Sequence, residues 1–339
     1  METPGLNGID GGTGSGAKQV TKRAVLIAGP TASGKSGFAM ALAKRVNGVI
    51  VNADSMQVYD GLRILTARPT PQDERTLPHR LYGHVAPDTR YSVGAWLRDI
   101  APVLEDIATR NMVPIIIGGT GLYFKALTEG IAETPQISEC EHVDFIARHA
   151  ALTTPQLQDR LVAADRAAAD RIERNDRQRT LRALMILELT GQSLSDWQLR
   201  ASQTAILPLH HTIYRVLMPS DRAWLYERIE ERFGTMLDAG GEQEALALLQ
   251  RGLAPQLPVM NAISIPHYAA YIRQGVIGER DAVIEKSVRD TRRYAKRQMT
   301  WFRNQMANWP RLDPMQWADD SDKMLKDLDQ IAQDLEKQA

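Results

Sequence analysis

The sequence predicts an α/β fold: a P-loop parallel sheet flanked by helices, interrupted by an inserted all-helical domain. Three observations carry this. Gly29 to Ser36 reads G-P-T-A-S-G-K-S and fits G-x-x-x-x-G-K-[ST], with a strand-forming run before it and helical spacing after it. Pro114-Ile-Ile-Ile-Gly118 is continuously apolar, as strands covered on both faces of a parallel sheet are. The stretch from about Ile137 to Gln203 is helical, strand-free and dense in Ala, Leu and Arg, yet strand character returns after it.

Taken in order, residues 1–20, with Gly11-Gly-Thr-Gly-Ser-Gly16, lack an apolar signal region and read as a flexible tail. Ala24-Val-Leu-Ile-Ala28 is the first strand and Gly37 to Arg45 belongs to the helix after the loop. Gly48 to Asp54 is the second strand, ending in the polar cluster Asp54-Ser-Met-Gln-Val-Tyr59. His79 to Val85 is expected as a third strand. Tyr91 to Arg110 is a helix with Val93, Trp96, Leu97, Ile100, Val103, Leu104 and Ile107 on one side. The strand at Pro114 ends in Gly118-Gly-Thr-Gly-Leu-Tyr123. After the insertion come a strand at His211 to Met218, a helix from Ser220 to Phe233 with Ser220 as its expected N-cap, and a break at Gly240-Gly241. A helix over about Ala282 to Gln305 and an amphipathic closing helix, Ser321 to Lys337, complete the chain. The expected organisation is a tail (1–20), a catalytic core (21–134 and 206–315), a helical insertion (135–205) and a C-terminal helix (316–339).

The chain has 339 residues, 43% of them hydrophobic, enough for a sizeable core and for about two domains. Its formal net charge is zero, so any nucleic-acid contact must come from local patches. A single cysteine, Cys140, excludes an internal disulfide and a cysteine metal cluster, and suits a reducing cytoplasm. No apolar run is long enough for a transmembrane helix, so no membrane association is expected.

The chemistry starts at the loop. Gly29 and Gly34 permit a tight turn over Gly29, Pro30, Thr31, Ala32, Ser33 and Gly34, whose N–H groups surround a phosphate. (Pro30 contributes shape only, having no N–H.) The helix N-terminus adds partial positive charge, Lys35 a full one, and the Ser36 hydroxyl suits Mg²⁺ held on the phosphates. Asp54, at the end of the neighbouring strand, could hold that metal or act as a general base. Ser55 and Gln57 could hydrogen-bond a planar polar group, and Thr120 should face the same crevice. The insertion mixes Arg166 to Arg182 with acidic neighbours. Arg289, Arg292, Arg293, Lys296 and Arg297 fall on one helical face interleaved with aromatics, which suits phosphates of a diphosphate or of a nucleic-acid backbone. From these residues alone a small-molecule kinase and a non-catalytic nucleotide-binding module stay open.

The spaced motifs Gly29 to Ser36, Asn52 to Tyr59, Ala67-Arg-Pro69, Pro78-His79, Gly118 to Tyr123, Asn175 to Arg179 with Arg182-Ala-Leu184, and Ala295 to Arg303 together resemble the tRNA dimethylallyltransferase (tRNA isopentenyltransferase) family over roughly residues 22 to 305. The resemblance implies transfer of a dimethylallyl group from dimethylallyl diphosphate to N6 of the adenine 3′-adjacent to the tRNA anticodon. It implies that the loop, with Thr31, Lys35, Ser36, Mg²⁺ and Arg228, holds the diphosphate, and that Asp54 takes the amino proton. It places tRNA contacts on Asp54, Ser55, Met56, Gln57, Thr120, Gln178, Arg179, Thr180, Leu181 and Arg182, and implies a cytoplasmic monomer gripping the anticodon stem-loop. Three places depart from the family pattern: Ser264 stands where a glycine is usual, Ile64-Leu65-Thr66 replaces an isoleucine-glycine pair, and His142 falls near the position of a tRNA-contacting arginine.

Overall fold

The computed structural model describes residues 23–132, 137–200, 205–274 and 280–338, so the expected tail lies outside the described residues. The first half runs β1 (Val25–Ala28), α1 (Lys35–Val46), β2 (Gly48–Asn52), α2 (Pro71–Thr76), β3 (His79–Arg80), α3 (Val93–Thr109), β4 (Val113–Gly118) and α4 (Gly121–Glu129). The helical segment follows: α5 (Glu139–His149), α6 (Thr154–Ala164), α7 (Arg166–Arg171), α8 (Arg177–Thr190) and α9 (Leu194–Arg200). The chain then continues through β5 (Ile213–Leu217), α10 (Arg222–Asp238), α11 (Gly241–Gln250), α12 (Ile265–Gln274), α13 (Arg280–Gln305), β6 (Arg311–Leu312), α14 (Met315–Asp319) and α15 (Ser321–Lys337).

The sheet has the order β3-β2-β4-β1-β5-β6, and every pairing in it is parallel. Its central strands β1, β2 and β4 are buried save for Val113, because helices cover both faces. On one face α1 and α15 close an apolar layer through Phe38, Leu42, Leu328 and Ile331. On the other, Trp96, Phe124, Ile229, Met299 and Phe302 pack over Leu26, Val51 and Ile116. The α5–α9 segment surrounds a separate cluster of Phe145, Leu157, Leu161 and Leu184. This order sets the carboxyl ends of β2, β4 and β1 side by side, where an open α/β sheet forms its crevice.

Two local expectations are corrected. The third strand pairs only at His79–Arg80, with an isolated bridge from Val85 to Tyr59. Leu81 and Gly83 take left-handed conformations (φ 61° and 56°), which turn the chain out of the ladder. The N-cap of α10 is Asp221, not Ser220: Asp221 Oδ1 accepts from the Ala223 amide at 2.9 Å, while the Ser220 hydroxyl turns to Met315. Ser264 is buried with φ 83°, a conformation that costs a side-chain-bearing residue roughly 1–2 kcal/mol.

Candidate active site

The phosphate loop turns out of β1 into α1. Gly34 is the α1 N-cap with φ 87°, and no side chain caps the helix, so its first amides are left for a ligand. Gly29 has no room for a side chain: an added Cβ would stand 2.8 Å from the Leu217 carbonyl oxygen. Three cations reach the loop. Lys35 Nζ donates to the Pro30 carbonyl (3.2 Å), Arg228 Nε to the Ala32 carbonyl (3.1 Å), and Arg232 Nη2 to Thr31 Oγ1 (2.6 Å). Arg228 also lies over the Trp224 ring, 4.8 Å from its centroid. Among the described residues none of these three cations is within ion-pair distance of a carboxylate. Burial lowers Lys35 to about 8; the Asp54 charge opposes this and the Arg232 charge adds to it. Arg232 is lowered to about 10 by burial, again opposed by Asp54 and reinforced by Arg228.

Asp54 faces this cluster from the end of β2. Its Oδ1 accepts from the amides of Met56 (2.9 Å) and Gln57 (3.4 Å), a turn that closes on its own aspartate. Fully buried Asn52 fixes the base of that turn: its Oδ1 accepts from the Asp54 amide (2.9 Å), and its Nδ2 donates to the carbonyls of Asp54 and Leu81 (both 3.0 Å). Oδ2 points toward Gly119, where an added Cβ would come to 3.5 Å. Burial raises the phenols of Tyr82, Tyr123 and Tyr294 well above their ordinary range, and the Asp54 charge adds to each. The three phenols thus lie within electrostatic reach of the partly buried carboxylate.

The spacing of Gly118-Gly-Thr-Gly121 follows from three close approaches. A Cβ on Gly118 would overlap the Ala53 carbonyl, one on Gly119 the Gln298 amide, and one on Gly121 the Trp301 ring. Gln298 of α13 enters through the second gap. Its Nε2 donates to the Gly119 carbonyl (2.9 Å) and its Oε1 accepts from the Thr31 amide (2.9 Å), bracing the phosphate loop against β4. Thr120 Oγ1 accepts from the Ser55 amide (3.0 Å) and lies 3.3 Å from Ser55 Oγ, tying the β4 end to the β2 end.

The structure thus brings Gly29 to Ser36, Asp54, Ser55, Thr120 and Arg228 to one crevice. Ser36 is exposed at the start of α1. Met56 packs on the core, and the Gln57 amide donates to the Thr66 (2.8 Å) and Ala67 (3.1 Å) carbonyls, so its NH₂ group is spent on its own loop. That loop is held by Glu244, whose carboxylate accepts from the amides of Arg63, Ile64 and Leu65 at 2.6, 2.8 and 2.8 Å.

Gln178 to Arg182 lie apart from this crevice, on α8 among the other helices of the insertion. Thr180 is fully buried on Gln158 and Asp176, and Leu181 packs on the insertion core; both shape the helix. Arg179 is 72% exposed and pairs with Asp176 at 3.3 Å. Arg182 is exposed on α8, and partial desolvation of its guanidinium lowers its pKa. His142 lies within electrostatic reach of Arg182, and burial lowers it first of all. On α13, Arg289 and Arg293 both lie against Asp290 and Arg292 pairs with Glu230, while Lys296, Arg297 and Trp301 line an open cavity of about 500 Å³.

Arg232, Gln298 and Asn52 were not among the residues singled out from the sequence. Arg232 follows Arg228 by one helical turn, a spacing that puts both on one face. Gln298 and Asn52 stand inside motifs already noted, but nothing in their local spacing assigns them a partner.

A glycine-rich strand–loop–helix turn backed by three cations and faced by one carboxylate, on a parallel sheet, defines an α/β protein with a crevice suited to an anionic ligand. The chain belongs to the IPP transferase family, which it matches over residues 57–305, with an isopentenyl transferase match over residues 22–83. It is 47% identical to the tRNA dimethylallyltransferase of Allorhizobium ampelinum, covering 86% of this chain and 95% of the relative. It is 48% identical to that of Azorhizobium caulinodans, covering 86% and 92%. Among solved structures it resembles the tRNA isopentenylpyrophosphate transferase of Bacillus halodurans (32% identity, TM-score 0.63, 94% of this chain and 98% of that one). It also resembles a eukaryotic dimethylallyltransferase acting on tRNA (26% identity, TM-score 0.73, 88% and 76%).

Proposed function

We propose that the chain transfers a dimethylallyl group from dimethylallyl diphosphate to N6 of the adenine 3′-adjacent to the anticodon in tRNA, giving N6-isopentenyladenosine. The observation that carries this is that Asp54, at the end of β2, faces the cation-lined phosphate loop at the end of β1 across the end of β4. The chemistry assigns each side a task. The allylic carbon–oxygen bond breaks, and its electron pair leaves with the diphosphate. The N6–carbon bond forms, and the amino proton passes to Asp54. Loop amides, Lys35 and Arg228 are preorganised where leaving-group charge develops, the placement that favours the transition state over the ground state. The adenine must leave its stack to reach the crevice, at a cost of a few kcal/mol that an unpaired loop reduces.

Mg²⁺ fits the donor set. Ser36 offers an exposed hydroxyl at the start of α1, a donor that suits an ion otherwise held by diphosphate oxygens and water. When bound, it supplies further charge neutralisation on the diphosphate. Arg179, Arg182 and the α13 basic face offer backbone-phosphate contacts to the anticodon stem-loop. The chain is read as a cytoplasmic monomer; no described helix is long and apolar enough to cross a membrane. The test is incubation with Mg²⁺, dimethylallyl diphosphate and bulk tRNA, followed by mass spectrometry of the nucleosides. Prenylated adenosine is expected. Its absence, with phosphate transfer from ATP instead, would establish a kinase.

A further inference from the structure

The α10 face that carries Arg228 carries a second guanidinium to the same loop. Arg228 meets the Ala32 carbonyl (3.1 Å) and Arg232 meets the Thr31 hydroxyl (2.6 Å). Arg232 has no ion pair among the described residues, and its contact with Thr31 is to a neutral acceptor. A guanidinium presents a fork of five N–H donors matched to phosphate oxygens, and one hydroxyl answers little of that capacity. Lys35 and Arg228 stand close enough for mutual repulsion with Arg232, and Asp54 acts on the group only through space. Half-buried cations collected around one loop with so little counter-charge are unfavourable until an anion arrives. The site is therefore short of negative charge by more than Lys35 and Arg228 alone account for.

We propose that Arg232 is a second guanidinium of the diphosphate clamp, meeting the leaving group alongside Arg228 and Lys35; this rests on the donor reading above. Thr31 holds the guanidinium in place at the loop's edge, so the bound diphosphate gains a preformed fork.

Binding of inorganic diphosphate with Mg²⁺, measured by calorimetry, tests the clamp without requiring turnover. Arg232→Ala should weaken it by about tenfold or more, the usual worth of a charge-assisted contact. Arg232→Lys should recover part of the loss, and affinity for an anticodon stem-loop RNA without donor should not change. The rival role, a pin that merely orients Thr31, is separated by a double-mutant cycle. In a Thr31→Val background the pin has nothing to hold, so Arg232→Ala should cost nothing further; the clamp requires that it still cost about tenfold. Unchanged affinity in Arg232→Ala, or a loss that vanishes in the Thr31→Val background, overturns the proposal. Should Arg232→Ala fail to fold, Arg232→Lys decides: full wild-type affinity and KM for the donor in that variant, with only its melting temperature lowered, also overturns it. Diphosphate binding by a wild-type protein that does not prenylate tRNA would sink the assigned reaction and leave the clamp standing.

Discussion

Asp54→Asn separates two duties of one side chain. Oδ1 shapes the turn by accepting from the amides of Met56 (2.9 Å) and Gln57 (3.4 Å). An asparagine placed with its oxygen there keeps both bonds, so stability should fall by no more than about 1 kcal/mol. Its NH₂ then replaces Oδ2, the atom facing Gly119 and the crevice, and cannot accept a proton. Removing a positioned base costs about 10²–10⁴ in turnover, or roughly 3–5 kcal/mol of barrier. The substitution also reaches the donor side. Asp54 opposes the burial that lowers Lys35 to about 8, so removing its charge lowers Lys35 further. Diphosphate favours the ammonium form. Donor affinity is therefore level below the Lys35 pKa and falls above it, by up to about tenfold per pH unit. In wild type that fall should begin near pH 8, and in Asp54→Asn at lower pH. Single-turnover prenylation of a stem-loop RNA, donor binding from about pH 6.5 to 9 and thermal melts read these effects separately. Turnover within about threefold of wild type would refute the base assignment. A break at unchanged pH would refute the electrostatic link.

Lys35→Ala should bind donor weakly at every pH and lose the break near pH 8; a break that persists assigns it to another group. Gly119→Ala should expel Gln298 and break its bonds to Thr31 and Gly119, destabilising the fold by about 2–4 kcal/mol. Chemical denaturation checks this, and a loss below about 0.5 kcal/mol would show that Gln298 braces nothing. Arg179→Ala with Arg182→Ala should reduce the salt dependence of tRNA binding by about one to two in log–log slope and leave donor affinity alone. Arg179's exposed pairing with Asp176 is a weak competitor for phosphate. A lower melting temperature with an unchanged slope would make both arginines structural.

The phosphate loop, the burial of β4 and the polar ends of β2 and β4 were legible in the sequence because each is local. Tight turns need glycine at set spacings, strands covered on both faces are apolar throughout, and a short strand's end marks the residues beside the crevice. Family likeness extended that reading to Arg228, whose guanidinium does reach the loop. Local rules also misled: Ser220 and Asp221 are both good caps, and only the docking of α14 beside Ser220 leaves the role to Asp221. Likewise, left-handed Leu81 and Gly83 shorten a strand whose composition reads longer. What the tertiary structure alone decided is which distant side chains meet. Gln298 reaches Thr31 across 267 positions, and Arg232 reaches the same residue across 201. Glu244 closes the 63–65 amides from a helix 179 or more positions away. Periodicity states which face of a helix is buried. The atom opposite that face depends on how α10, α11 and α13 pack against the sheet, and on gaps left by glycines whose missing side chains are filled from elsewhere in the chain.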